Sequence, residues 1–356
     1  MSAARYMPIP PGAVIPGALP DFRIYVRNPQ GAYTLWAQEG NKVTAEQLGR
    51  LTEGGYTAIY VDIEEQFKYD QYLEDNLGSI LENRAASDDQ KAEIFSRVST
   101  NVVKGAFETS LGLGTMDRGA LQRTQKLIEN ALQFIQEAKS LQALAKLIGH
   151  DYQTYAHATK VLWFTVSFLR LNQGILEQID PAYPDFEDGR KIEMFRHCAV
   201  GALLHDIGKS LVPRAILDKA DPLTEVEWEV MKRHPLSGLA MLIDTDIPDF
   251  VRKAVLQHHE DYDGTGYPLG LEGTAINALA RVIRIIDVFD AMTSRRPYKD
   301  PVPPLKAAQI MIGTPEESGK DADLGLTGRD QGMRPCFDRE LLKKFIVFLG
   351  DVKLGA

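Results

Sequence analysis

The sequence predicts a mainly α-helical protein: an all-helical C-terminal domain preceded by a small α/β N-terminal domain and a helical linker. Three observations predict it. From Asp151 onward, long apolar-periodic segments alternate with short polar loops, and strand patterns are scarce. Before that, Ile128, Ala131, Ile135, Ala138, Leu141, Ala145 and Ile148 recur at three- and four-residue spacing, the stripe of an amphipathic helix. Earlier still, between residues 21 and 80, short β-rich runs separated by turn residues replace the helical period. The 356 residues suffice for two domains with an ample core, and the expected division is 1–82, 83–148 and 149–356.

Taken in order, residues 1–20 are rich in Pro and Gly and read as an extended arm. Phe22–Val26 and Tyr33–Trp36 read as strands around a turn at Asn28-Pro29-Gln30-Gly31. A short helix follows from Thr44, its N-cap, to Leu51, and then a strand from Ala58 to Val61. This small unit carries no catalytic constellation and reads as a regulatory or docking module. Ser87-Asp88-Asp89-Gln90 resembles a capping box and opens a helical region, broken near Gly112–Gly114, that runs to about Ile148. Its stripe either packs on its own domain or pairs two subunits into a homodimer. Two loops stand out in the C-terminal half: Pro181–Arg190, and the Gly- and Asp-rich stretch Thr314–Pro335, which reads as a lid or a surface insertion.

A net charge of −9 argues against broad DNA or RNA binding, which needs a basic face, but leaves room for a small anion held by local cations or metals. Two cysteines, Cys198 and Cys336, cannot build a disulfide framework. No apolar run reaches the roughly 18 residues of a membrane span; Val161–Leu171 is too short and contains Arg170. The opening MSAARYMPIPPG lacks the apolar stretch of a signal peptide. A reducing cytoplasm is the expected location.

Only seven histidines are present, so their placement matters. His205-Asp206 ends an apolar run and is followed by Ile207-Gly208-Lys209. His234 comes next, then the pair His258-His259, and Asp287 lies within the apolar segment Val282–Phe289. An acid inside an apolar helix is costly unless it is paired or binds a metal. Imidazoles and carboxylates together suit Mn, Fe, Zn or Ni. Adjacent ligands on one helix point about 100° apart, so an Asp flanked by His can serve two metals.

The motifs resemble a known family. His205-Asp206-Ile207-Gly208-Lys209 is similar to the signature of the HD phosphohydrolases. His258-His259-Glu260 with Asp263-Gly264-Thr265-Gly266-Tyr267-Pro268 resembles the signature of the HD-GYP subfamily, and Asp287 through Tyr298 resembles its following helix and loop. The likeness runs from about Asp151 to Leu349. It implies an HD-type catalytic domain that hydrolyses a cyclic dinucleotide, cyclic di-GMP above all, to linear pGpG or GMP through a hydroxide held between two divalent transition metals, iron or manganese. It also implies the ligand sets. His157, His205, Asp206 and Asp287 would hold one metal; Asp206, His234, His258 and His259 would hold the other, with Asp206 bridging. Lys209 would lie near the phosphate or the leaving oxygen, Arg296 and Lys299 would contact substrate phosphate, and Tyr267 would shape the site mouth. The GYP loop or the N-terminal domain could also meet a protein partner.

Some relatives carry a Glu four residues before the first ligand histidine that serves a third metal; here Gln153 stands there, which favours two metals over three. His150 and His197 match no family ligand. Two rival readings stand beside the leading one: an HD phosphohydrolase acting on another nucleotide, and a binding or scaffold protein with little turnover.

Overall fold

A computed structural model describes residues 5–110, 114–136, 154–219, 221–295, 300–313 and 333–351. The chain splits into two compact units, Met1–Asn101 and Val102–Ala356. His150, Asp151, Gln153, Arg296, Lys299, the second half of the stripe from Ala138 and most of the Thr314–Pro335 loop lie outside the described residues.

The first unit is a four-stranded antiparallel sheet in the order β1 (Tyr6–Ile9), β4 (Ile59–Asp62), β2 (Ile24–Arg27), β3 (Tyr33–Ala37). Helices α1 (Ala45–Glu53), α2 (Gln66–Asp75) and α3 (Leu77–Glu82) accompany it, and α4 (Asp88–Ser110) begins in it. The expected caps form. Thr44 Oγ1 accepts from the Gln47 N–H while Gln47 Oε1 accepts from the Thr44 N–H, and Ser87 and Gln90 do the same at α4. Phe22, Ile24, Ile59, Val61, Tyr69 and Leu73 are buried. The expected arm proves to contain β1, with Pro8 opposite Tyr60. Proline donates no hydrogen bond, and β1 accommodates it because it is an edge strand. Its proline content therefore hid a strand.

Among its described residues, the second unit is built from helices joined by loops, with one isolated antiparallel bridge between Asp263 and Glu272: α5 (Arg118–Gln136), α6 (Thr154–Leu171), α7 (Gly174–Ile179), α8 (Asp188–Leu204), α9 (Arg214–Leu217), α10 (Glu225–Met231), α11 (His234–Leu242), α12 (Asp249–Gln257), α13 (Ala278–Thr293), α14 (Pro304–Ile312) and α15 (Arg339–Asp351). The sequence of α6 explains its central place: Val161, Leu162, Trp163, Phe164, Val166, Phe168 and Leu169 leave it apolar nearly all round, and all seven are buried. It packs against α8 and α13, while α12 packs against α8, α11 and α13. Phe164, Phe168, Phe289, Phe345 and Phe348 meet edge to face, which joins α6, α13 and α15. Each such buried side chain contributes about 1.5–3 kcal/mol. In the stripe, Ile128, Ala131 and Ile135 are fully buried, with α5 packed on α6 and α8. No described helix is long and apolar enough to cross a membrane.

Candidate metal centre

Five helices deliver their polar residues to one place. His157 comes from α6, His205-Asp206 from the C-terminus of α8, His234 from the first residue of α11, His258-His259 from the C-terminus of α12, and Asp287 from the middle of α13. The two adjacent pairs therefore sit at helix ends rather than along a helix. The reason is visible in the backbone. Three imidazoles donate from Nδ1 to the carbonyl three residues earlier: His205 to Ala202 at 2.8 Å, His234 to Met231 at 2.8 Å and His258 to Val255 at 2.7 Å. For His205 and His258 that carbonyl belongs to the last turn of the preceding helix, where carbonyls lack partners along the helix. A carbonyl only accepts, so Nδ1 carries the proton and Nε2 presents a lone pair.

Those lone pairs converge on Asp206, which is 2% exposed. Asp206 Oδ1 lies 3.2 Å from His234 Nε2 and 3.5 Å from His258 Nε2, whereas Oδ2 lies 3.5 Å from His205 Nε2 and 3.9 Å from His157 Nε2. Each oxygen of one carboxylate thus faces its own pair of imidazoles. Asp287 Oδ1 is 3.1 Å from His157 Nε2, and Asp287 Oδ2 is 3.9 Å from His259 Nδ1. Two sets of donors are mutually close enough to hold an ion: Asp206, His234, His258 and His259, and separately His157, His205 and Asp287.

The donor set fits a divalent metal. Burial holds the imidazoles of His234, His258 and His259 below the ordinary histidine range, His258 at about 4, so they stay neutral near pH 7. Two such neutral rings face each other, His234 Nε2 and His258 Nε2 being 3.2 Å apart. Two lone pairs at that distance repel unless a cation lies between or beside them. His205 Nε2 and Asp206 Oδ1 are buried without a hydrogen bond, the mark of atoms with a different partner. Burial works against the charge on Asp206 and Asp287, but Lys209 with the imidazoles for the first, and His157 with other imidazoles for the second, hold both carboxylates well below their usual range.

Small residues and one acid set this geometry. A Cβ on Gly208 would overlap the carbonyl oxygen of His234, so glycine lets the Ile207–Leu211 turn close against α11 and brings His234 to Asp206. Gly266 has the same function in the loop after α12, where a Cβ would overlap the backbone of Glu260 and Asp261. Glu260, 1% exposed, accepts from the N–H groups of Leu269 at 2.7 Å and Leu271 at 2.9 Å and so ties that loop down. The loop in turn lays the Tyr267 ring on His259, with centroids 4.8 Å apart and planes 24° apart, and Trp228 of α10 meets the edge of Tyr267.

Of the residues expected in the site, His157, His205, Asp206, Lys209, His234, His258, His259, Tyr267 and Asp287 are brought together. Lys209 Nζ is 2.5 Å from Asp206 Oδ2. Arg296 and Lys299 lie outside the described residues, as does Gln153. His197 faces Glu193 and the ring of Phe250, away from the cluster. Sequence reasoning gave no role to a surrounding layer: Asp290, 2.7 Å from His157 Nδ1; Lys160 and Ser294 beside it; Arg284, which binds Asp261 at 2.8 Å and reaches toward His259. The available signal was an acid, Asp290, one turn beyond Asp287 in an apolar helix.

Residues 192–321 match the HD domain family. The chain is 38% identical over 166 residues to the cyclic di-GMP phosphodiesterase PA4108 of Pseudomonas aeruginosa, covering 46% of this chain and 36% of that one. It is 45% identical over 115 residues to the cyclic di-GMP phosphodiesterase response regulator RpfG of Xanthomonas campestris, 32% of this chain and 30% of the relative. It is also 42% identical over 110 residues to the 3'3'-cGAMP-specific phosphodiesterase 3 of Vibrio cholerae, 31% of this chain and 24% of the relative. The matches thus span about a third or less of these relatives' length. In fold, the chain is similar to Bd1817, an HDG"Y"P protein from Bdellovibrio bacteriovorus, with a TM-score of 0.57 at 19% identity over 97% of this chain and 99% of that one. The His-Asp, His-His-Glu and Gly-Tyr-Pro segments thus assemble around one buried cluster inside the region that matches the HD domain family.

Proposed function

We propose that this protein is a metal-dependent phosphodiesterase that opens a cyclic dinucleotide, cyclic di-GMP before the mixed cyclic GMP-AMP. The observation that carries the reading is the division of Asp206, whose two oxygens face two separate imidazole pairs. That division suits a bridging carboxylate between two ions, iron or manganese by the His and carboxylate mix. His157, His205, Asp206 and Asp287 are the proposed ligands of one, and Asp206, His234, His258 and His259 of the other. When bound, such a pair supplies a water of lowered pKa and charge stabilisation at a phosphoryl oxygen.

The chain's own residues do the rest. Lys209 carries protons beside Asp206 and is the proposed donor to the leaving ribose oxygen. Tyr267, ring against His259, forms one wall of the mouth and offers a base a stacking partner. Arg296 and Lys299 are the proposed phosphate contacts. The names of the relatives, two cyclic di-GMP phosphodiesterases and one specific for 3'3'-cGAMP, support the substrate class.

The test is purified protein loaded with Mn²⁺ or Fe²⁺ and incubated with each cyclic dinucleotide, products being separated by chromatography and metal content measured. Two ions per chain and linear pGpG appearing ahead of GMP are expected. Protein with both ions and no turnover of either substrate would overturn the substrate assignment. Folded protein that binds neither metal would overturn the centre itself.

A further inference from the structure

Among the four histidines nearest Asp206, three point Nδ1 at a backbone carbonyl and the fourth points it at a carboxylate. His205, His234 and His258 donate to carbonyl oxygens, but His157 Nδ1 lies 2.7 Å from a carboxylate, Asp290 Oδ2. Both partners are shut away from water, at 0% side-chain exposure each. Asp290 has its own supports. Ser294 Oγ donates to its Oδ1 at 3.0 Å, and Lys160 Nζ lies 3.6 Å from that same oxygen and donates to Ser294 Oγ at 2.8 Å. Burying a carboxylate costs several kcal/mol unless it is paired and hydrogen-bonded, and here one cation and one hydroxyl supply that pairing.

The helix geometry shows how the network is built. Lys160 stands three residues after His157 on α6, and Asp290 three residues after Asp287 on α13, so each helix presents one inner and one outer member on a single face. Ser294, at the C-cap of α13, follows Asp290 by four and closes the ring, its N–H also donating to the Asp290 carbonyl at 2.9 Å. The arrangement crosses 133 residues of sequence to join His157 to Asp290 and 134 to join Lys160 to Ser294.

We propose that Asp290 is a positioning residue for the metal centre: it fixes the ring and the tautomer of His157, with Lys160 and Ser294 holding Asp290 in turn. The proposal rests on the metal reading above and adds an asymmetry to it. The set of His157, His205 and Asp287 has an anionic partner behind one ligand, while the set of Asp206, His234, His258 and His259 has neutral carbonyls behind His234 and His258. A carboxylate behind an imidazole raises its basicity as a ligand. The first set should therefore lose its ion selectively when the carboxylate is removed.

The experiment measures Mn²⁺ binding to the metal-stripped 356-residue chain, wild type against Asp290→Asn and Ser294→Ala, alongside the visible spectrum of the Co²⁺-substituted forms and the melting temperature of the metal-free forms. Asp290→Asn should weaken one of two Mn²⁺ ions by about 10–100-fold and leave the other, the usual effect of such outer partners. Its Co²⁺ spectrum should change, a readout that loss of stability alone would not produce. Ser294→Ala should act in the same direction with a smaller effect. Wild type with two ions, and a folded Asp290→Asn that binds both with unchanged affinity and spectrum, would overturn this proposal alone. Wild type with no Mn²⁺ would overturn the metal reading beneath it. If Asp290→Asn fails to fold, Ser294→Ala decides: unchanged affinity overturns the proposal and weakened binding of a single ion supports it.

Discussion

The N-terminal unit and the helical unit both bury carboxylates beside cations, and they differ in what else surrounds them. In the first, each has a cation of its own close by in space: Asp62 has Arg5 at 2.9 Å, and Glu65 has Arg23 at 3.3 Å. The Glu64 N–H adds a further bond to Asp62. In the second, Asp206 has Lys209 at 2.5 Å but also faces four imidazoles, Asp287 faces His157 and His259, and buried atoms such as His205 Nε2 go without hydrogen bonds. The first pattern is what a fold needs in order to bury an acid. The second gathers more unmet donor atoms than a buried acid needs and makes sense around a metal ion. Burial of charge by itself therefore does not mark a site; convergence with unmet lone pairs does.

Four experiments would break or sharpen that contrast. The largest effect is expected for Asp206→Ala, since both donor sets lose their shared member. Turnover should fall more than about a hundredfold, with metal content falling too. A folded variant with wild-type turnover would break the contrast outright. Next is Gly208→Ala, whose methyl would overlap the His234 carbonyl. Forced overpacking costs about 1–3 kcal/mol, so urea unfolding of the metal-free protein should show a loss of that order. No loss would mean that the Ile207–Leu211 turn moves freely.

A smaller effect is expected at the mouth. Tyr267→Ala removes one stacking surface, worth about 1–3 kcal/mol per base, and should raise KM roughly tenfold with a smaller change in kcat. A fall in kcat alone would assign Tyr267 to holding His259 rather than to substrate. The smallest effect belongs to the N-terminal unit. Burial opposes the charge on Asp62, but the Glu64 N–H and Arg5 outweigh it and hold its pKa below the ordinary carboxylate value. A carboxylate with a lowered folded pKa contributes stability that is present above its unfolded pKa and lost as pH falls through the folded one. Arg5→Gln should therefore bring acid unfolding of this unit on at slightly higher pH, as followed by thermal melting between about pH 5 and pH 2. An unchanged profile would show that the Glu64 N–H suffices.

Much of the centre was legible because its members lie in short ordered motifs. His205-Asp206, His258-His259 and Asp287 each combine a proposed ligand with an apolar helix, a conflict visible in a single stretch of chain. The layer behind them was not legible. Asp290, Lys160 and Arg284 acquire meaning only through partners far off in sequence or on another element, and no local pattern announces such a pairing. Glu260 was visible within its motif, but its bonds to Leu269 and Leu271 depend on a loop conformation set partly by Gly266. In the N-terminal unit the capping residues Thr44 and Ser87 were readable because they act within four residues. β1 was not, because Pro8 argues against a strand unless one knows that it lies at an edge.

The backbone anchors of His205, His234 and His258 have a consequence for how such a centre withstands genetic drift. Their partners are main-chain oxygens, which no substitution at Ala202, Met231 or Val255 deletes so long as the turn survives. The residues at those positions can vary while the orientation of three imidazoles is inherited through the fold. His157 is different, because its partner is a side chain that one nucleotide change can remove. Random mutagenesis screened for lost metal at preserved folding should therefore return Asp290 far more often than any of the three residues that supply a carbonyl.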